Sequence, residues 1–292
     1  MTTVDTVSSE LRLRPRFAVV AAVGGLLLFA SMIIQTAGPQ AKVGELTVQL
    51  LVTNRRAGLE ILSAVASGLG IIGLAATLAF LFTAVRARRP QVSQATRIIL
   101  LVGALLAAVG GIAYGIVITS KAHQFATEGL QTYPQANALL RQGPVAVLQY
   151  AGVIGSLLLA VAFVLIALNA MRVGLLTRFG GYVGIGAAAA SLLLLGSAPA
   201  LLIEVFWLLS TAYLLSGRWP NGDPPAWRTG EAVPWPSSAE LREQRLAARG
   251  QGRQPAKRQE RRPAQAPARA NGATTATASR STPAKRKRKR RK

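Results

Sequence analysis

The sequence contains no cysteine and a single histidine, His123, among its 292 residues. A chain without thiols forms no disulfide and offers no thiolate to a metal, and one imidazole cannot build a zinc site. Charged residues are also scarce at 15%, whereas soluble proteins carry about a quarter. The composition therefore excludes thiol and zinc chemistry, and the hydrophobic content of 51% favours the membrane class.

Motifs for catalysis and for cofactor binding are missing as well. The sequence has no Ser/His/Asp arrangement, no paired aspartates and no glycine-rich phosphate loop. It therefore predicts a non-enzymatic protein without a cofactor or a metal site.

Long apolar segments fill the first 216 residues. About 20 apolar residues span a bilayer as a helix. The segments predict an all-α, polytopic membrane helix bundle with six transmembrane helices in residues 17–216. The first span is too long for the apolar core of a signal peptide and is predicted to be retained. The predicted spans are residues 17–36, 58–85, 98–119, 145–170, 179–197 and 199–216.

The remaining segments differ in composition. Residues 1–16 form a polar N-terminal segment, and residues 217–236 form a Trp/Pro juxtamembrane segment that cannot continue a helix. Its tryptophans, including Trp227, are predicted to form a belt at the membrane interface. Residues 237–292 hold 18 of the 34 basic residues and 3 of the 11 acids, and their composition predicts a disordered basic tail.

Basic residues flank the predicted spans unequally. With a cytoplasmic N-terminus, the inner segments before the tail hold eleven arginines, and the outer segments hold five basic residues. Cytoplasmic loops are enriched in Lys and Arg, so the asymmetry predicts that both termini are cytoplasmic. We therefore expect a multi-pass protein of the plasma membrane.

Four polar residues lie at a similar depth near the predicted outer ends of the spans. Glu60 and Glu204 are ionisable residues within apolar sequence, and Tyr114 and Gln149 occupy corresponding positions of two other spans. At about 1.5 Å per residue, all four come within about 8 Å of one surface. They predict a polar layer that binds a proton, a cation or a polar head group. The alternative is that they are shallow, hydrated side chains that pair with nearby arginines.

The chain ends in a run of eight basic residues. They are Lys285, Arg286, Lys287, Arg288, Lys289, Arg290, Arg291 and Lys292. Such a run makes electrostatic contacts, and the lipid bilayer through its anionic head groups and nucleic acid are both open as partners. A homo-oligomer is a further alternative, because glycines recur at an interval of four in two spans.

Two passages resemble a known type of protein. Residues 176–185 read LTRFGGYVGI, and after an apolar hairpin residues 217–236 read GRWPNGDPPAWRTGEAVPWP. They are similar to uncharacterised six-span membrane proteins of actinobacterial type, which are classed as domain-of-unknown-function families. The resemblance covers about residues 15–236. It implies a six-helix integral membrane protein and no activity.

Two main functions are open on these grounds, and a membrane enzyme comes third. The first is a membrane scaffold or interaction protein whose basic tail contacts anionic lipid or nucleic acid. The alternative is a small-solute or proton-coupled transporter that uses the polar layer around Glu60 and Glu204.

Overall fold

The computed structural model describes residues 3–38, 45–141, 143–194, 197–220 and 222–235, together with isolated positions between 240 and 247. Contacts divide the chain into a first unit, residues 1–237, and a second unit, residues 238–292. The predicted disordered tail lies outside the described residues except for those isolated positions, and the basic run at residues 285–292 lies outside them entirely.

Nine helices are found in the described part of the first unit, and no strand is found there. They are α1 Thr3–Thr36, α2 Leu46–Arg55, α3 Ala57–Arg88, α4 Ala95–Thr127, α5 Tyr133–Leu140, α6 Gly143–Arg172, α7 Arg178–Leu194, α8 Ala198–Leu215 and α9 Pro225–Thr229. The all-α prediction is confirmed. Five helices, α1, α3, α4, α6 and α8, are long and apolar enough to cross a membrane. Helix α7 is apolar but has 17 residues, so a sixth helix of that length is not found in the described ranges.

The long helices and α7 form a closed ring. Each helix packs against the next in the order α1, α3, α4, α6, α7 and α8, and α8 packs against α1. Helices α1 and α3 run in opposite directions, since Gly24 lies opposite Gly73 and the later Ser31 lies opposite the earlier Ser63. Helix α3 also contacts α6 across the ring, which separates the interior into two parts.

Glycines bring neighbouring helices close together. A Cβ atom on Gly73 would lie 2.8 Å from the Cα atom of Gly24, and one on Gly103 would lie 2.6 Å from the backbone nitrogen of Leu159. Such close backbone approach lets helices pack tightly where lipid removes the hydrophobic driving force. Gly111 has no such role, because a Cβ atom there would meet nothing within 4 Å.

Two short helices cover one end of α4. The predicted loop between the third and fourth spans contains α5, and the loop between the first and second spans contains α2. Leu50 of α2, Phe125 of α4 and Leu139 of α5 pack into a small separate core. This end of the bundle is therefore folded and not an open loop.

The first helix extends through the predicted polar N-terminal segment and begins at Thr3. Glu10 and Arg14 are four positions apart on one face, and they are 9% and 4% exposed. Glu10 pairs with Arg88, and Arg14 pairs with Asp223. Because both partners are distant in sequence, the local sequence resembles a solvated segment although the two side chains are buried.

The residues after α8 fold back onto the same end of the bundle. Trp227 is 1% exposed, and its indole Nε1–H donates a 2.9 Å hydrogen bond to the carbonyl oxygen of Leu175. Trp235 donates a bond of the same length to the carbonyl oxygen of Leu176. An interfacial tryptophan keeps its ring at the surface. The belt interpretation is therefore wrong for Trp227, which is a core residue.

Candidate functional site

A cavity of about 320 Å³ lies between five helices of the ring, α1, α3, α6, α7 and α8. Its polar lining residues among those described are Gln35, Ser67, Ser156, Ser191 and Glu204, and the others are apolar. None of these described lining residues carries a positive charge. Glu204 is thus the ionisable group among the described lining residues of a largely apolar cavity.

Glu204 lies near the start of α8, where the chain has just turned back from α7. Ser191 of α7 is hydrogen-bonded to the carboxylate of Glu204. The Ser191 hydroxyl also lies 2.9 Å from the carbonyl oxygen of Ala187, one turn earlier in its own helix. The antiparallel pair formed by α7 and α8 therefore holds the carboxylate against a serine at the wall of the cavity.

A second cavity of about 210 Å³ adjoins the first. It is lined by Glu60 of α3 and Tyr114 of α4. Gln35, Ser67 and Ile71 line both cavities. The side chains of these three residues therefore mark the boundary between the two spaces.

The predicted polar layer is divided by the structure. Glu60 and Tyr114 meet in the second cavity, and Glu204 lines the adjoining one. Gln149 lines neither cavity and is exposed on α6. Three of the four predicted residues are thus found in two neighbouring sites, and the fourth faces outward.

Serine side chains complete the site, and the sequence reasoning missed them. Gln35 donates 3.1 Å hydrogen bonds to the hydroxyls of Ser31 and Ser63, which are 1% and 2% exposed. These hydroxyls are themselves 3.1 Å apart. The sequence does contain an indication of this cluster, because these serines lie within apolar spans at a height similar to that of the glutamates.

The aromatic ring of Phe163 is part of the apolar lining of the cavity of about 320 Å³, which we call the central cavity, and it packs against Trp207. Phe163 lines the cavity, and its ring meets that of Trp207 edge to face, with centroids 4.5 Å apart. The indole Nε1–H of Trp207 donates a 2.9 Å hydrogen bond to the carbonyl oxygen of Gly180. This bond fixes the tryptophan and therefore the orientation of Phe163.

The side chains that line the two cavities are suited to binding a ligand. The described lining of each cavity contains one carboxylate, together with hydroxyl and amide groups and apolar side chains. The described residues contain no group of three or more His, Asp and Glu side chains that could hold a metal ion. A carboxylate with serine and glutamine neighbours can hold a proton, a cation or a hydrogen-bond donor.

No protein-family model, curated protein or solved structure matches this chain. The resemblance to six-span actinobacterial proteins therefore stays a prediction.

Proposed function

We propose that the chain is a six-helix, multi-pass protein of the plasma membrane that transports a small solute bound in its central cavity. Large apolar side chains on the outer faces of the helices support the membrane environment. Val19, Ile98, Leu105 and Val147 are each more than 60% exposed. Soluble monomers rarely expose contiguous apolar surface of this kind, whereas hydrocarbon accommodates it without cost.

Helix α7 serves as the sixth span in this proposal. Its 17 residues extend over about 26 Å, a little less than the hydrocarbon thickness of about 30 Å. A short span is accommodated by local thinning of the bilayer. The packing of α7 against α6 and α8 supports this assignment, because both neighbours are long apolar helices.

The cavity that contains Glu204 carries the functional proposal. Its volume of about 320 Å³ falls at the lower end of the range of about 300–1,000 Å³ typical of small-molecule sites. An ionisable residue within a membrane-spanning helix is costly and marks a substrate or ion pathway. A scaffold would not need such a residue, so the cavity favours transport over the scaffold function.

The basic residues support an orientation with both termini in the cytoplasm. The end of the bundle that holds Arg14 and Arg88 then faces the cytoplasm, and Glu60 and Glu204 lie in the outer half of the membrane. The basic tail is proposed as a separate cytoplasmic contact with anionic lipid or nucleic acid. The transport function does not depend on that contact.

Single cysteines in this cysteine-free chain test the proposal. Ser156→Cys places a thiol in the cavity wall, and Leu157→Cys places a matched thiol on the same helix outside the described lining. In proteoliposomes of fixed orientation, a hydrophilic thiol reagent should modify the first variant from either face and the second far more slowly. Transport requires access from both faces. Reaction of Ser156→Cys from one face alone would contradict transport, and no reaction would contradict the site itself.

A further inference from the structure

We infer that the solute of the central cavity is a monovalent, amphipathic organic cation, held with its charge at Glu204 and its apolar part against Phe163. The inference rests on the proposed function, because it names the class of molecule that the same cavity takes. Four features carry it: the sign of the charge, the number of charges, the positions of the hydroxyls and the aromatic wall.

With Glu204 ionised, the charge of the cavity is negative. Glu204 is the ionisable residue among its described lining residues, and Glu60 gives the adjoining cavity the same sign. Arg56 lies close by, but its guanidinium donates to the carbonyl oxygen of Ile34 at the end of α1 and lines neither cavity. Charges interact far more strongly in an apolar interior than in water. The site therefore attracts cations and repels anions.

The carboxylate of Glu204 can neutralise one positive charge on the bound solute. Ca²⁺ requires six to eight oxygen ligands, usually with several carboxylates, and Mg²⁺ retains much of its hydration shell. Among its described lining residues the central cavity supplies a single carboxylate, with side chains such as Leu28, Leu74 and Leu159 over much of its wall. Apolar walls cannot replace the water around an inorganic ion, but they do bind the hydrocarbon part of an organic one.

The serine hydroxyls that line the central cavity can accept hydrogen bonds. The hydroxyl of Ser156 donates to the carbonyl oxygen of Gly152 at 2.9 Å, and the single proton of Ser191 is used on Ala187 or on the carboxylate of Glu204. A hydroxyl that has used its proton still has lone pairs, so each oxygen can accept a bond from an ammonium N–H. Both serines thus suit a cationic donor.

Phe163 and Glu204 are placed to contact opposite ends of one molecule. The ring of Phe163 packs against Trp207, which follows Glu204 by three positions on α8. Residues three apart lie on the same face of a helix, about 4.5 Å apart along its axis. A molecule of modest length can therefore reach both the carboxylate and the aromatic ring, and an aromatic face also attracts cations.

The test compares two thiol reagents of similar size and opposite charge on Ser156→Cys. The reagents are the trimethylammonium-ethyl and the sulfonato-ethyl methanethiosulfonates. For each reagent, the rate of reaction with the protein thiol is divided by its rate of reaction with 2-mercaptoethanol. We expect the cationic reagent to react about tenfold faster, because the thiol and Glu204 share one cavity. Adding Glu204→Gln should remove most of that preference, while Glu60→Gln, in the adjoining cavity, should remove less.

A second measurement does not depend on the fold of the Glu204→Gln variant. Benzyltrimethylammonium should slow the modification of Ser156→Cys, and benzenesulfonate at the same concentration should not. Equal reactivity towards both reagents, without selective protection, would overturn the cation assignment and leave the accessible cavity intact. Failure of both reagents to react would overturn the proposed function together with the cation assignment.

Discussion

The guanidinium of Arg14 donates two hydrogen bonds of 2.9 Å to the carboxylate of Asp223, 209 positions later in the chain. The two side chains are 4% and 23% exposed. Arg14 also donates a 3.1 Å hydrogen bond to the carbonyl oxygen of Leu214, near the end of α8. This pair therefore ties the first helix to the segment that follows the last long helix.

The pair predicts a loss of stability in acid. The hydrogen bonds from Arg14 hold the pKa of Asp223 below its ordinary value, although desolvation opposes them. A lowered pKa contributes stability that is present above the unfolded pKa of about 3.9 and is lost as pH falls through the folded pKa. We therefore expect the unfolding temperature of the protein to decrease when the pH is lowered below about 4. Asp223→Asn should destabilise the protein by roughly 1–3 kcal/mol at neutral pH.

Thermal unfolding of the purified protein across this pH range checks the prediction. The Asp223→Asn variant should lose less stability in acid than the wild type, since it has no carboxylate to protonate at this position. Glu231→Gln, at an exposed position, is the matched control and should follow the wild-type curve. An Asp223→Asn curve parallel to that of the wild type would contradict the linkage.

Trp227 should be the most sensitive tryptophan of the juxtamembrane segment. Its ring stacks on Phe80 with centroids 5.9 Å apart, and the guanidinium carbons of Arg14 and Arg88 lie 4.7 and 5.5 Å from its centroid. Trp227→Phe removes the bond to a backbone carbonyl and should cost about 1–3 kcal/mol. Trp227→Ala also leaves a cavity and should cost about 3–5 kcal/mol. Thermal unfolding checks this order, with Trp219→Phe as the control. Equal unfolding midpoints for Trp227→Phe, Trp227→Ala and Trp219→Phe would contradict it.

Two glycine substitutions should have opposite effects. Gly73→Ala forces a methyl group against Gly24 and should destabilise the α1–α3 contact by about 1–3 kcal/mol, because both groups are backbone and cannot rotate away. Gly111→Ala meets open space, and alanine favours the helix by up to about 1 kcal/mol. The two variants add the same methyl group to long helices, so their unfolding midpoints compare packing directly. A Gly73→Ala protein as stable as the Gly111→Ala protein would argue against the close helix contact.

The helices could be predicted from the sequence because length and apolarity alone mark a helix that can cross a membrane. Contacts between distant segments could not. Arg14 resembles a flanking charge until its partner Asp223 is known, and Trp227 resembles an interfacial residue until α9 is seen to fold back. In both cases the burial is created by a partner more than 50 positions away.

The sequence predicts which residues share a height along the helices, but it does not predict the direction in which their side chains point. Counting residues along a helix gives the height of Glu60, Tyr114 and Glu204, and these three do line the cavities. It does not give the rotation of the helix. Helix α6 is apolar on all sides, so no amphipathic pattern indicated that Gln149 faces outward.

The proposed orientation predicts opposite accessibility for two single cysteines. Leu130 lies between α4 and α5 and is 88% exposed, and Ala232 is exposed after α9. In intact cells an impermeant maleimide should label Leu130→Cys, whereas Ala232→Cys should be labelled only after lysis. Labelling of Ala232→Cys from outside would reverse the orientation, and labelling of both would exclude a sealed membrane topology.

The basic run at residues 285–292 should favour anionic membranes over nucleic acid. The proposed orientation puts it at the cytoplasmic leaflet, where each basic residue contributes about 1 kcal/mol of attraction to an anionic surface. Nucleic acid attracts the same charges through counterion release, and both attractions weaken with salt, so salt dependence alone does not distinguish them. The full-length protein in neutral nanodiscs should therefore be offered anionic vesicles and RNA together at physiological ionic strength.

A variant with all eight basic residues replaced by glutamine is the matched control, since it keeps the chain length and changes the charge alone. Preferential capture of vesicles by the wild type would support a membrane-surface contact, because the same charges were offered both partners at once. Preferential capture of RNA would support a nucleic-acid tether. If the wild type and the glutamine variant captured both partners equally, the charges would contribute no contact, and the scaffold function that depends on the tail would have no basis.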